Sequence, residues 1–321
     1  MNEFNLKYKT ILSIIIITIN ITLTANAQNE HQYFEAGKKY LEQKKYKNAV
    51  LNFTKTINEN DHISDYYLQR GLAFWGLMDR QKGYDDFTSA IKYDYTSGEA
   101  YFYRAMIFMS EYMYLEAIND FDMLIKYPPN DSLLYLGYLK RGESKGSIMD
   151  YNGSLEDCNK FLQYDSCNRE ALNTIALAKN DLKQPEEALG FLYKSLKHYP
   201  GDTLTIANIG FINLSLERWD SAFKYLDLAS KLKPKQAFTY SNLSFVKMKK
   251  GDLTGALKDV NYSLALDPEN SWAYRNRGLI YGELKQNERS CEDFHMAVKK
   301  GFTERYGNEV RELIYSNCGK K

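Results

Sequence analysis

The chain is poor in the residues that build catalytic and metal sites. Among 321 residues there are only four cysteines and four histidines, and the histidines lie far apart in the sequence. No two cysteines have the Cys-x-x-Cys spacing of a zinc or redox site. A glycine-rich phosphate loop, a nucleophile elbow and a histidine-based relay are also missing. The sequence therefore predicts a protein that is not an enzyme and that holds no metal ion and no cofactor.

Net charge and long hydrophobic runs are scarce as well. The formal charge is +1, which gives no electrostatic footprint for nucleic acid or an anionic membrane surface. The one long apolar run, Ile11–Leu23, is short for a membrane span of about 20 residues and contains Asn20. Two lysines precede it and Ala25–Ala27 follows, which is typical of a signal peptide. We expect residues 1–27 to be cleaved, leaving a periplasmic or secreted protein that is not inserted in the membrane. The alternative is a retained N-terminal anchor.

What the sequence does contain is one unit repeated eight times. A small residue recurs at intervals of 34, except for one interval of 37 between Ala105 and Gly142. A second small residue follows twelve positions later, and a larger, mostly apolar one four positions after that. Apolar residues between these positions fall three and four apart, so each repeat is predicted to be two short helices. The first small residues are Gly37, Gly71, Ala105, Gly142, Ala176, Gly210, Ser244 and Gly278.

The order of small, bulky and proline positions in these units resembles the tetratricopeptide repeat (TPR) family. The resemblance covers about residues 30–302 and implies an all-α, right-handed solenoid of about eight helical hairpins, whose first helices line a concave groove. No separate second domain is expected. The predicted repeats, numbered 1 to 8 in chain order, are 30–63, 64–97, 98–134, 135–168, 169–202, 203–236, 237–270 and 271–302.

Two departures from the repeat are predicted to have structural consequences. Three extra residues fall around Tyr127–Ser132 and should lengthen the turn between repeats 3 and 4. The tail, residues 303–321, should supply a capping helix at Gly307–Asn317, because the last hairpin of a solenoid has an uncovered apolar side. If that helix runs antiparallel to the helix that holds Cys291, Cys318 returns close to Cys291, so a disulfide is predicted there; the alternative is two unpaired thiols.

The other two cysteines, Cys158 and Cys167, are expected to remain thiols. They are close enough in sequence that a bond between them stays open.

Arginine recurs directly before the small residue in four repeats, among apolar residues where a buried side chain is expected. Each of these arginines has an aspartate 16 residues later, on the second helix. An antiparallel hairpin brings the two positions opposite each other, so an ion pair within the repeat is predicted. The alternative is that the arginines face the groove and bind an acidic ligand. The pairs are Arg70–Asp86, Arg104–Asp120, Arg141–Asp157 and Arg277–Asp293; Asp259 faces Leu243 instead.

Two sets of residues are candidates for binding a partner. Trp75, Phe102, Met106 and Met109 are predicted to form an adaptable apolar surface for an amphipathic helix. A second candidate set recurs every 34 residues and resembles the asparagine ladder of O-GlcNAc transferase, which implies hydrogen bonding to the main chain of an extended peptide. Its members are Asn208, Asn242 and Asn276.

These observations favour a non-enzymatic scaffold that binds a protein or peptide in its groove. The alternative is a structural subunit of an envelope complex, or a homo-oligomer, whose surfaces mediate assembly.

Overall fold

The protein consists of helices connected by short turns. The computed structural model describes residues 28–318, so the predicted signal segment, residues 1–27, lies outside the described residues. None of the described helices is long and apolar enough to cross a membrane. In chain order they are α1 (28–42), α2 (Tyr46–Glu59), α3 (Ser64–Gly76), α4 (Arg80–Tyr93), α5 (Gly98–Ser110), α6 (Tyr114–Lys126), α7 (Asp131–Ser147), α8 (Tyr151–Tyr164), α9 (Arg169–Asp181), α10 (Pro185–His198), α11 (Thr203–Ser215), α12 (Trp219–Leu232), α13 (Ala237–Lys249), α14 (Leu253–Leu266), α15 (Ser271–Glu283), α16 (Asn287–Lys299), α17 (Phe302–Tyr306) and α18 (Glu309–Asn317).

The helices pair into consecutive hairpins, so the predicted all-α solenoid of TPR-like repeats is confirmed. The chain divides into two compact units, which within the described residues are an N-terminal unit, 28–153, and a C-terminal unit, 154–318. Inside each unit successive first helices touch each other, such as α3 with α5 and α13 with α15. No comparable contact joins successive second helices in the described part of either unit. The first helices therefore form the inner side of each unit.

Small residues at fixed positions allow the two helices of a hairpin to approach closely. A Cβ atom on Gly71 would lie 2.6 Å from the ring of Phe87, which is fully buried. The same closeness recurs between Gly278 and Phe294, at 2.6 Å. The bulky residue thus fills the space that the small residue leaves, as the sequence pattern predicts.

The three extra residues between repeats 3 and 4 do not lengthen the turn, so that prediction is wrong. The turn after α6 has four residues, 127–130, like the turn at 60–63 after α2. Helix α7 takes up the insertion instead, with 17 residues against 13 in α5. The side chain of Asn130 accepts a hydrogen bond from the backbone N–H of Leu133 at 2.9 Å, which caps the helix and fixes its start directly after the turn.

The C-terminal end of the last hairpin is covered by the tail. Phe302, at the start of the short helix α17, and Val310, in α18, are fully buried against Phe294. The structure joins Cys291 in α16 to Cys318 after α18 by a disulfide. These contacts cover the apolar side of the last repeat in the manner expected of a cap.

Candidate functional site

Three of the predicted arginine–aspartate pairs are bidentate ion pairs within a hairpin. In each, Nε and Nη2 of the arginine donate to the two carboxylate oxygens, the geometry in which a guanidinium binds a carboxylate most strongly. The two distances are 2.8 and 2.7 Å for Arg70–Asp86, 2.7 and 2.7 Å for Arg104–Asp120, and 2.7 and 2.8 Å for Arg277–Asp293.

Each of these arginines also makes contacts that the sequence analysis did not predict. Its guanidinium lies over the tyrosine ring three residues earlier in the same helix, at 5.7 Å in the case of Arg70 and Tyr67. Its Nη1 donates to a side chain 16 residues earlier, on the second helix of the preceding repeat. These acceptors are Thr54, Thr88 and Asn261. The arginine therefore links neighbouring repeats as well as the two helices of its own.

The ion pairs are largely buried, so the cost of removing both charges from water opposes the attraction between them. Only 19% of the Arg70 side chain and 5% of the Asp86 side chain are exposed. Burial raises the pKa of Asp86 and outweighs the opposing effect of Arg70. Desolvation thus consumes much of the ion-pair energy, so the pairs contribute little beyond what a well-packed apolar pair would. With their donors committed to these contacts, the three guanidinium groups are poorly placed to bind an acidic ligand.

Arg141 and Asp259 form ion pairs with residues that the pattern did not predict. Arg141 donates to Asp122 at 2.5 Å, and its predicted pairing with Asp157, a residue of the other unit, stays a prediction. Asp259, which faces Leu243 in sequence, forms an ion pair of 2.7 Å with Lys247. The lysine lies four residues after Leu243 in the same helix, so the charge is neutralised from a neighbouring turn.

The asparagines of the predicted ladder are buried, which corrects their assignment to an open groove. Asn208 is 3% exposed and its Nδ2 donates to Oδ1 of Asn173 in the preceding repeat, at 2.8 Å. Asn276 is 2% exposed and donates to the backbone oxygen of Ser241 at 2.9 Å. Asn242 is 7% exposed. The amides of Asn208 and Asn276 thus hydrogen-bond neighbouring repeats, whereas the buried Nδ2 of Asn242 has no hydrogen-bond partner among the described residues.

The apolar candidates fall partly on the inner side of the N-terminal unit and partly in its core. Phe102 is 7% exposed and packs at 6.1 Å from the ring of Phe121, so it belongs to the core, contrary to its assignment to the groove. Trp75, Met106 and Met109 remain partly exposed and pack against the core clusters of repeats 2 and 3.

Tyr103, which the sequence analysis missed, packs against the core clusters of both repeats 2 and 3. Its ring lies 5.7 Å from that of Trp75 on the neighbouring first helix. We call Trp75, Tyr103, Met106 and Met109 the inner apolar surface.

Two carboxylates border this surface. Glu99 lies one helical turn before Tyr103 in α5, and burial together with Glu99 raises the pKa of the Tyr103 hydroxyl. Burial raises the pKa of Glu99, and the charge of Asp65, a residue of α3, raises it further. Asp65 is exposed and accepts a hydrogen bond from Gln69 at 3.0 Å. The N-terminal unit thus presents acidic groups beside aromatic and methionine side chains.

The first helices of the C-terminal unit expose apolar side chains as well. Leu177, Leu204 and Phe238 are 37%, 48% and 37% exposed. Arg275 lies between two aromatic rings, 4.9 Å from the centroid of Phe245 and 5.2 Å from that of Trp272, and donates to Glu309 of helix α18. The charge of Arg275 is thus paired within the unit, and its guanidinium is largely buried between the rings.

Comparison with known proteins identifies the fold. No family model and no curated protein matches the sequence. Solved structures of repeat proteins do match. A chain of the APC/C hetero-tetramer Cut9–Hcn1 aligns with 76% of this chain at 16% identity and a TM-score of 0.61, and this chain spans 48% of its length. PilW, a type IV pilus biogenesis factor, aligns with 67% of this chain at 14% identity and a TM-score of 0.57, over 98% of its own length.

A further match is the C-terminal part of a TPR repeat-containing protein from Cytophaga hutchinsonii. It aligns with 76% of this chain at 15% identity and a TM-score of 0.54, over 98% of its own length. The chain therefore has the TPR fold. Within the described residues no group of His, Cys, Asp or Glu side chains is arranged to hold a metal ion.

Proposed function

We propose that the protein is a non-enzymatic scaffold that binds a protein or peptide partner through the inner side of its first helices. The observation that carries the proposal is the inner apolar surface of Trp75, Tyr103, Met106 and Met109. These side chains lie on adjacent helices and remain partly exposed, and contiguous apolar patches of this kind usually mark interaction sites. Methionine adapts its shape to a bound apolar side chain, which suits a groove that accepts a helix or an extended segment.

We further propose that this scaffold acts outside the cytoplasm, in the periplasm or as a secreted protein. The support is the signal-like pattern of residues 1–27 and the disulfide between Cys291 and Cys318, a bond that persists in oxidising compartments. Fractionation of cells that produce the full chain, followed by mass measurement of its N-terminus, tests this. The proposal requires a chain that begins near Gln28 outside the cytoplasm, and a full-length cytoplasmic chain would refute it.

Capture of partners from an envelope extract tests the binding surface. The variant Met106→Gln/Met109→Gln makes the inner apolar surface polar at two positions where side chains are only partly buried. Leu115→Gln is the matched control, because Leu115 is an apolar residue 63% exposed on the second helix α6. The proposal expects capture to be lost in the first variant and kept in the second, with similar thermal unfolding. Equal capture by both would refute it.

A second candidate function, assembly of the chain into a fixed complex or homo-oligomer, is favoured by the hairpin tips of the N-terminal unit. Met78, Tyr112 and Met149 lie at the turns between the two helices of repeats 2, 3 and 4, and they are 87%, 78% and 54% exposed. All three have a left-handed backbone, with φ of 59°, 60° and 67°. Contact with another protein would explain such large exposed apolar side chains.

Mass measurement in solution separates the two candidates. The equivalent tips of repeats 5 and 8 carry Lys183 and Lys285 with φ of 62° and 59°, so lysine fits this backbone. We therefore suggest replacing Met78, Tyr112 and Met149 together by lysine. Assembly through the tips predicts an oligomer that this variant dissociates. A monomeric wild-type protein whose partner capture survives the change would leave the inner surface as the binding site.

A further inference from the structure

Glu99 differs from the other buried and partly buried carboxylates in the described part of its unit because neither a cation nor a hydrogen-bond donor contacts its carboxylate. Asp86 and Asp120 each face an arginine at ion-pair distance. Among the residues that the structure describes, no side chain forms an ion pair or a hydrogen bond with the carboxylate of Glu99. A carboxylate that has lost part of its hydration without gaining a partner destabilises the folded state.

The surroundings of Glu99 increase this cost. Burial raises the pKa of Glu99, and the nearby charge of Asp65 raises it further. Both effects disfavour the ionised form, and a positive charge beside Glu99 would favour it. Repeats 2 and 3 supply an arginine to Asp86 and Asp120 but no cation to Glu99, and a bound molecule with a positive charge can fill that role.

Apolar side chains lie within reach of the same ligand. Tyr103 and Met106 follow Glu99 by four and seven residues in α5, so the three residues share one face of the helix. The distance along the helix axis from Glu99 to Met106 is about 10 Å, at about 1.5 Å per residue. An extended peptide covers that distance in about three residues.

We propose that the inner side of the N-terminal unit binds a partner segment in which a lysine or arginine lies about three positions from a large apolar residue. The cation lies against Glu99 and Asp65, and the apolar side chain lies on the inner apolar surface. The inference rests on the proposed function, and it adds the chemistry of the partner. Charge complementarity selects a basic segment over an acidic one.

Selection from a displayed library of random dodecapeptides tests this, with the wild-type chain and the Glu99→Gln and Asp65→Asn variants as targets. Glu116→Gln is the matched control. Glu116 is an exposed residue on the second helix α6, and its substitution changes the net charge by the same amount. A retained peptide, labelled with fluorescein, then gives the affinity for each target. We expect the retained peptides to combine a lysine or arginine with a large apolar residue. We also expect about tenfold weaker binding to Glu99→Gln, unchanged binding to Glu116→Gln, and thermal stability of Glu99→Gln at or above wild type.

Each other outcome overturns a defined part of the account. Retained peptides without a cation, or equal affinity for wild type and Glu99→Gln, would refute the basic segment while leaving a peptide-binding surface in place. Loss of stability in Glu99→Gln would show that the carboxylate serves the fold. If the wild-type chain enriches no peptide at all, the peptide-binding function fails together with the inference.

Discussion

Repeats 2 and 3 of the N-terminal unit and repeats 5 and 6 of the C-terminal unit join their helices by different chemistry at the same positions. Where repeat 2 has the ion pair Arg70–Asp86, repeat 5 has Ile175 and Phe191, and Ile175 is 1% exposed. The helices pair in the same way in both. The register of small and bulky residues therefore determines the hairpin, and the charged pair is one of two ways to fill the position beside it.

Polar groups occur in the apolar repeats too, but between repeats. Asn173 Nδ2 donates to Oγ1 of Thr205 at 2.8 Å, and Asn173 Oδ1 accepts from Asn208. Thr205 in turn donates to Asp202 at 2.6 Å. This network keeps the buried side chains of Asn173, Thr205 and Asn208 hydrogen-bonded, as buried polar groups require. Repeats 2 and 3 thus have polar contacts both within a hairpin and to the preceding repeat, whereas this network of repeats 5 and 6 lies between repeats.

The largest effect is expected from breaking one ion pair. Arg70→Ala or Asp86→Ala leaves a buried charge without its partner and should lower the free energy of unfolding by about 3–5 kcal/mol. Replacing the pair with its equivalents in repeat 5, as Arg70→Ile/Asp86→Phe, should be nearly neutral or stabilising. Urea unfolding followed by circular dichroism measures both.

Arg80→Ala is the control, because Arg80 and Glu111 form an exposed pair with 60% and 55% of their side chains exposed. Its cost should be below about 0.5 kcal/mol. If the double variant loses as much stability as the two single variants together, the apolar pair of repeat 5 cannot replace the ion pair of repeat 2. The proposed equivalence of the two pairs would then be wrong.

A smaller loss is expected from the amide network of repeats 5 and 6. Asn208→Ala removes a donor and leaves Oδ1 of Asn173 buried without that bond, which should cost about 1–3 kcal/mol. Asn58→Ala, at an exposed position in α2, should have almost no effect. Thermal unfolding of the two variants measures the difference. Unchanged stability of Asn208→Ala would show that its amide is free for a ligand after all.

The smallest effect concerns Glu99 and depends on pH. Its pKa in the folded chain is raised above the ordinary value of 4.5, so the folded state holds the proton more tightly than the unfolded state. The contribution of protonated Glu99 to the free energy of unfolding is fully present below pH 4.5, and it is lost as the pH rises through the pKa of the folded state. Glu99→Gln should therefore match wild type at pH 4 and exceed it at pH 7, by less than about 1 kcal/mol. Equal slopes of stability against pH would contradict this.

The fold was predictable because eight internal copies reveal the register. The offset of 16 residues between Arg70 and Asp86 followed from comparing the copies. Thr54, which accepts a hydrogen bond from Arg70, lies 16 residues before it in the preceding repeat. The sequence therefore contained the signal for this contact as well, and it was missed. The extension of α7 was missed for a different reason, since the cap formed by Asn130 decides locally whether extra residues join a turn or a helix.

The site was less predictable than the fold because the sequence does not show which side chains of a first helix remain exposed. Phe102 and Asn208 lie at helical positions like those of exposed residues, yet contact between neighbouring first helices buries them. The missing partner of Glu99 depends on the surroundings of one carboxylate in three dimensions. Repeat patterns therefore identify the scaffold, and packing decides which residues a partner can reach.

The central claim, that a partner binds the inner side of the N-terminal unit, is tested most directly by site-specific photocrosslinking. A benzophenone amino acid is introduced in turn at Met106 on the inner side, at Leu115 on a second helix and at Tyr112 at a hairpin tip, and each chain is irradiated in an envelope extract. The account predicts a partner crosslinked from position 106 and not from position 115 or 112. Crosslinks from positions 112 or 115, with none from 106, would contradict it.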